Sequence, residues 1–288
     1  MKTDPQPEIR TLNIGDADIQ YLYYPGAGPP LLLLHATGFL PWLWHPIARA
    51  LAGPFTVLAP YFCDHRDTAP EDGGLHWQRL AQDLAAFSDA LGLERPRMVG
   101  HSMGATVMTL AAAVRPGWAH GLVLIEPIFL PSEWYRLNIE VDQHPLASKS
   151  IRRRNHWADA AEARAYLRAK PLFAQWDEEM LDLYLRHGMV AAEGGGLELA
   201  CHPRREASLF MGGMHLDPWP LLGRVDCPAL VVEGETSGNR GHIDLQRAAG
   251  ALPQGRFLRI ARAGHLIPME RPRETVRLIR GFFEPMIS

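Results

Sequence analysis

The sequence predicts an α/β protein: a mostly parallel sheet with helices on both faces and a helical cap inserted after the sixth strand. Three observations carry that expectation. Short runs of consecutive apolar residues, such as Leu31–Leu34 and Leu122–Ile125, alternate with helix patterns, which is how strands buried on both faces read. One long stretch, from about Pro127 to Pro220, breaks the alternation and reads almost wholly helical. Between them, Gly100-His101-Ser102-Met103-Gly104 marks the point where an apolar run gives way to a helical one.

Taken in order, Ile9–Asn13 and Ile19–Tyr24 alternate around Gly15-Asp16, the pattern of an antiparallel hairpin. Leu31–His35 is the next strand, followed by a helix around Trp44–Leu51. Phe55–Ala59 is a strand and His76–Leu91 a long amphipathic helix. The strand ending at Val99 leads through the pentapeptide into a helix over Met103–Val114, and Leu122–Ile125 is the sixth strand. In the interruption, Asp159–Ala169 and Asp177–His187 each carry an apolar stripe on a charged helix. After it come Ala229–Glu233, a helix from about Ile243 with Asp244 as its cap, Phe257–Ile260, and a closing helix over Arg273–Phe283. The division expected is a core from 1–127 and 221–288, with a cap over 128–220.

Composition narrows the function classes. A 288-residue chain that is 47% hydrophobic can bury a substantial core, and a net charge of −3 with no long basic run argues against nucleic acid as a partner. Arg152-Arg153-Arg154 reads as a solvated helix face. Cys63, Cys201 and Cys227 are scattered, odd in number and without metal-ligand spacing, so neither a disulfide framework nor a metal or other cofactor is expected. Met1–Pro5 leads into no apolar core of a signal-peptide kind. Ile19–Ala48 lacks charges other than histidines, but Pro25, Pro29, Pro30, Pro41 and Pro46 rule out a spanning helix there. The expectation is a cytoplasmic protein without a membrane partner.

G-x-S-x-G at a strand-to-helix junction is the nucleophile elbow of serine hydrolases. The turn holds Ser102 in a strained conformation above the sheet, and the residues two positions either side must be tiny because strand and helix backbones nearly touch. A serine hydroxyl needs a histidine to take its proton, and the histidine needs an acid to fix its tautomer. Of 13 histidines, His265 follows Ala263-Gly264 directly after a short strand, on a loop at the sheet's carboxyl edge. His101 is adjacent to the nucleophile, and adjacency aims its side chain the wrong way. His144 and His202 read as surface or cap residues.

Strand-His35-Ala36-Thr37-Gly38, Gly-His-Ser-Met-Gly at 100–104, and Ala263-Gly264-His265 with Pro268 and Glu270 resemble the α/β-hydrolase superfamily over almost the whole chain. The resemblance is greatest to its esterase, lactonase and C–C hydrolase branch with a helical cap. It implies an oxyanion hole made by the backbone N–H of Thr37, with Gly38 as the alternative, and that of Met103. Three departures stand out. The oxyanion loop reads His35-Ala36 where the family has His-Gly. Cys63-Asp64-His65-Arg66-Asp67-Thr68 replaces a glycine-rich loop. Ser237 occupies the usual place of the triad acid, three residues after Gly234.

Serine cannot act as an anion, so two acids compete for the role. Glu126 closes the sixth strand, the position from which haloalkane dehalogenases and some macrolide-lactone hydrolases of the superfamily draw their acid. Glu235 lies near the usual site but two residues early. The expected chemistry is cofactor-independent hydrolysis of a small hydrophobic carboxylic ester or lactone through an acyl-enzyme, with Ser102, His265 and Glu126 as the triad. C–C bond hydrolysis of a vinylogous diketone and slow or non-catalytic ligand reception are the alternatives. Aspartate-nucleophile relatives are excluded by the serine. A cap above Ser102 would offer Trp134, Trp157, Phe173, Trp176, Phe210, Met211, Met214 and Trp219 as apolar lining; the alternative is that they form the insertion's own small core.

Overall fold

Alternation along the strands divides the protein between two cores. In the computed structural model, which describes residues 6–286, Leu32, Leu34, Met98, Leu122, Leu124 and Val231 face one cluster. Their chain neighbours Leu31, Leu33, Val99, Val123, Ile125, Leu230 and Val232 face the other. Side chains on a strand point to opposite faces in turn, so an unbroken apolar run is what a strand covered on both sides requires. Met1–Pro5, read above for a leader, lie outside the described residues.

The chain opens with β1 (Glu8–Asn13) and β2 (Asp18–Tyr24), an antiparallel pair turning through Gly15 at φ 105°. There follow β3 (Pro30–Leu34), α1 (His45–Leu51), β4 (Thr56–Pro60), α2 (Trp77–Ala90), β5 (Arg97–His101), α3 (Met103–Val114) and β6 (Gly121–Ile125). The intervening segment holds α4 (Pro145–Ile151), α5 (Ala160–Arg168), α6 (Glu178–His187), β7 (Met189–Ala191), β8 (Leu197–Leu199), α7 (Pro203–Gly212) and α8 (Trp219–Leu222). The chain then returns to the sheet with β9 (Ala229–Gly234), α9 (Leu245–Ala251), β10 (Gly255–Ile260), α10 (Ile267–Glu270) and α11 (Pro272–Phe283).

Among the described residues eight strands form one sheet in the order β1-β2-β4-β3-β5-β6-β9-β10, parallel from β4 to β10. α1 and α11 cover one face, α2, α3 and α9 the other. The chain steps outward from β3 to β4, then crosses back to β5 on the other side of β3. That reversal opens a crevice at the carboxyl ends of β3 and β5, where open α/β sheets bind ligands.

Two expectations are corrected. The intervening segment is not wholly helical: β7 and β8 pair as a hairpin whose turn uses Gly194, Gly195 and Gly196, all at positive φ. Three consecutive glycines have little helix propensity and suit such a turn. Nor is Arg152-Arg153-Arg154 a solvated helix face, because α4 ends before it. Arg153 bonds Glu206 at 2.8 Å, and Arg154 bonds Glu162 and lies over the Trp157 and Tyr166 rings.

Two buried histidines close adjacent strands. His35 donates from Nδ1 to the Ala36 carbonyl and accepts the Phe62 N–H at Nε2, both at 2.9 Å. His101 donates from Nε2 to the His265 carbonyl at 2.9 Å. Burial lowers their pKa values from 6.5 to about 4 and about 3. Between those values and 6.5 the unfolded chain binds more protons than the folded one, so stability falls as pH falls through this window. The thermal midpoint should therefore drop steadily from pH 7 to pH 4.5, and His101→Gln should flatten the slope. An unchanged slope in that variant would remove His101 from the account.

Candidate active site

Ser102 sits at φ 55°, ψ −118°, a left-handed conformation that a residue with a side chain adopts at a cost of roughly 1–3 kcal/mol. The surroundings hold it there. Its N–H continues the β5–β6 ladder to the Ile125 carbonyl at 2.9 Å, and its own carbonyl accepts the Thr106 N–H as α3 begins. A Cβ at Gly100 would strike the Ala105 backbone, and one at Gly104 the Leu34 and His35 carbonyls. The glycines of the elbow are thus demanded by packing. The Met103 N–H opens α3, where no intrahelical acceptor exists, and is free to face a developing anion.

His265 Nε2 lies 3.2 Å from Ser102 Oγ, and His265 Nδ1 lies 2.9 Å from Glu126 Oε2. The loop that carries His265 is tied down on several sides. Gly264 N–H bonds Glu270 at 2.6 Å, Thr236 Oγ1 donates to the Ala263 carbonyl, and His101 donates to the carbonyl of His265 itself. The imidazole side chain is 27% exposed, whereas that of Glu126 is 1% exposed.

Glu126 is a second strained position, at φ 51°. Its N–H extends the sheet to the Val232 carbonyl at 2.8 Å. Its carboxylate accepts from Gly234 N–H at 2.7 Å, from Ser237 Oγ at 2.7 Å, and from His265. Three donors offset the cost of burying this anion. Ser237 thus donates to Glu126 from the place where the resemblance expects a carboxylate. Glu235 is exposed and accepts from the Arg262 N–H, away from the imidazole. Asn239 is a contact that spacing did not reveal: its side-chain amide Nδ2 lies 3.0 Å from His265 Nδ1.

The loop after β3 turns at Gly38, φ 74°, with the Phe39 N–H bonded to the Ala36 carbonyl. The left-handed residue is therefore Gly38, and Ala36, at the place of the family's glycine, does not adopt a positive φ. A Cβ on Gly38 would collide with Glu206 Oε1 from α7. Thr37 is buried beside it. Asp83 ties down the loop that lacks the usual glycines, taking bonds from His65 at 2.9 Å and from Arg66 at 2.6 and 2.8 Å.

The residues expected to line an apolar pocket separate into distinct places. Phe173 and Trp176 pack with each other and with Tyr184, and Trp176 and Tyr184 pack with Phe39, the residue after Gly38, at ring separations of 4.7–5.9 Å. Phe39 was not anticipated. Trp157 is fully buried against Tyr166 and bridged to Leu197, and Phe173 and Trp176, 3% and 4% exposed, lie in the same apolar cluster. Trp134 is 38% exposed and stacks on His242. Met214 is half-buried in the turn after α7, its N–H on the Met211 carbonyl. Surface clefts of about 250 and 390 Å³ occur beside α1, and neither includes Ser102 or His265. No helix among the described residues is long and apolar enough to cross a membrane.

Residues 31–278 match the model of the alpha/beta hydrolase family. The chain is 26% identical to a fluoroacetate dehalogenase of Burkholderia sp, over 96% of this chain and 93% of that protein. It is 24% identical to the pyrrolizixenacetamide deacetylase of Xenorhabdus hominickii, over 95% and 97%. Among solved structures its fold is similar to E-2-(acetamidomethylene)succinate hydrolase, with a TM-score of 0.82, 21% identity and coverage of 96% and 99%. It is also similar to a thermophilic esterase from Thermogutta terrifontis, with a TM-score of 0.71, 23% identity and coverage of 98% and 100%.

Proposed function

The chain belongs to the alpha/beta hydrolase family, and from that premise we propose that it is a serine hydrolase cleaving a carboxylic ester or lactone. The observation that carries this reading is the unbroken line from Ser102 Oγ through the His265 ring to a buried carboxylate. Glu126 holds the proton on Nδ1, leaving the Nε2 lone pair for the serine proton. Ser102 attacks the carbonyl carbon. The oxyanion develops towards the N–H groups of Met103 and of Thr37 or Gly38, which together lower the barrier by a few kcal/mol. His265 passes the proton to the leaving alkoxide, then activates water against the acyl-enzyme.

The similarity to a dehalogenase does not transfer its reaction. Displacing a halide with a carboxylate gives an ester that water can open; displacing it with a serine hydroxyl gives an ether, which is a dead end. Acyl transfer suits the hydroxyl, and the deacetylase relative is by its name also an acyl-group enzyme. Residues 128–220 act as a cap in this reading, with Phe39, Phe173, Trp176 and Tyr184 as the aromatic wall nearest the oxyanion turn.

Such a wall should favour medium-sized apolar esters over acetates. Each methylene buried is worth up to about 0.8 kcal/mol, so kcat/KM should rise several-fold per two carbons from p-nitrophenyl acetate to hexanoate. A steady fall along the series would show that this wall does not face the acyl chain, and a flat zero across esters and lactones would overturn the ester reading.

A further inference from the structure

A carboxylate from the segment after β6 lies against the turn at Gly38. Glu206 Oε1, Cδ and Cγ stand 2.2, 2.7 and 3.0 Å from where a Cβ on Gly38 would be, so the side chain runs flat over that residue. The helix that carries it, α7, is fastened to the core. The Leu75 N–H reaches the Ser208 carbonyl at 3.1 Å, and Trp77 Nε1 donates to the Leu209 carbonyl at 2.8 Å. The start of α3 abuts the same strand end, since a Cβ on Gly104 would meet the Leu34 and His35 carbonyls. The N–H groups of the Gly38 turn and of Met103 therefore lie close together, with Glu206 as their neighbour. An anion there opposes the negative charge that the proposed reaction develops, and little solvent screens it: the Glu206 side chain is 11% exposed. Arg153 answers that charge. Its Nη1 donates to Glu206 Oε2 at 2.8 Å, and the Tyr184 hydroxyl is its second polar neighbour.

We infer that Arg153 is a positioning residue for the oxyanion turn that acts through Glu206: it cancels the charge of the side chain packed on Gly38. The inference rests on the proposed serine-hydrolase reading. Shape and charge are separate demands at this place. The glutamate side chain covers Gly38, and its charge is compatible with an oxyanion only while the guanidinium is attached. Removing the cation alone leaves a bare carboxylate beside the oxyanion, whereas removing both charges leaves neither. The double change should therefore be milder than the single one, the reverse of what independent contributions would give.

The test compares the wild type with Arg153→Met, Glu206→Gln and the double variant, using a hexyl trifluoromethyl ketone and the hexyl methyl ketone as inhibitors. Ser102 Oγ adds to the carbonyl carbon of the fluorinated ketone, its proton passes to His265 Nε2, and the ketone oxygen becomes an anion at the turn. The methyl ketone stays neutral and reports shape alone. Arg153→Met should weaken inhibition by the fluorinated ketone about 10–100-fold, as an uncompensated nearby charge does. It should lower kcat on the hexanoate ester by a similar factor and move KM less. Glu206→Gln should tighten the fluorinated ketone several-fold, and the double variant should return to within about threefold of the wild type. Inhibition by the methyl ketone should stay within about twofold throughout. The inference is overturned if both ketones weaken together, if the double variant binds the fluorinated ketone no better than Arg153→Met, or if Glu206→Gln weakens it. A buried carboxylate stripped of its partner is destabilising. Should Arg153→Met fail to fold, Glu206→Gln decides alone, because lost charge and lost packing move the fluorinated ketone in opposite directions. If the wild type binds both ketones alike, or Ser102→Ala binds the fluorinated one as tightly, the serine-hydrolase reading itself fails and the inference falls with it.

Discussion

Ser102→Ala should lose turnover by about 10⁴–10⁶ in kcat while keeping the fold, since nucleophiles of this kind act as a unit with their base and acid. The elbow makes the substitution structurally mild: alanine removes one oxygen, and the strained backbone stays fixed by the β5–β6 ladder and the start of α3. A fluorophosphonate should accordingly modify Ser102 in the wild type and leave the variant unlabelled. Mass spectrometry after proteolysis checks this directly. Label on a different serine, or an active Ser102→Ala enzyme, would remove the nucleophile from the scheme.

Glu126→Gln should cost about 10²–10⁴ in kcat with a smaller change in KM, because the amide keeps the shape and loses the anion. It can still accept from the Gly234 N–H, but an NH₂ group turned towards His265 favours a bare Nδ1 and puts the proton on the wrong nitrogen. Glu235→Gln, on an exposed side chain bonded to the Arg262 N–H, should lose less than about tenfold, roughly 1.4 kcal/mol. The reverse outcome, with Glu235→Gln crippled and Glu126→Gln active, would assign the acid to the loop after β9. Steady-state kinetics on the hexanoate ester distinguishes the two.

Much of this arrangement was legible from local pattern. The all-apolar runs announced strands buried on both faces, and the pentapeptide announced a turn that only small flanking residues permit. Glu126 was legible because a carboxylate closing an apolar strand needs a partner, and strand order places that end near the nucleophile. What remained hidden depends on how distant segments meet. Asn239 and Ser237 gain their meaning from a turn geometry that spacing does not encode. Phe39 follows the oxyanion turn in sequence, yet its packing against Trp176 is fixed only by how the helices after β6 settle. Trp157 and Trp134 look alike on paper. One is enclosed and the other is partly open to solvent, because an aromatic residue carries no mark of which core it will join. The Gly194–Gly196 run is itself a turn signal, set between strong helical periodicity on either side.

Glu126 ends β6, and its hydrogen-bond partner Gly234 N–H lies 108 positions further along the chain. The contacts from His265 back to Glu126 and Ser102 span 139 and 163 positions. Chain closure over such separations is slow compared with forming local helices and hairpins, and domains of this size commonly pass through partly folded species on the way. The first six strands can be made and begin to pair while the ribosome still holds the residues that will supply β9 and the imidazole. Until β9 docks beside β6, Glu126 has neither the Gly234 donor nor the ring, and Ser102 has no imidazole beside it. In the proposed serine-hydrolase reading a nascent or half-assembled chain would therefore be chemically silent even with the Ser102 turn formed, and hydrolytic competence would arrive as one of the last events of folding.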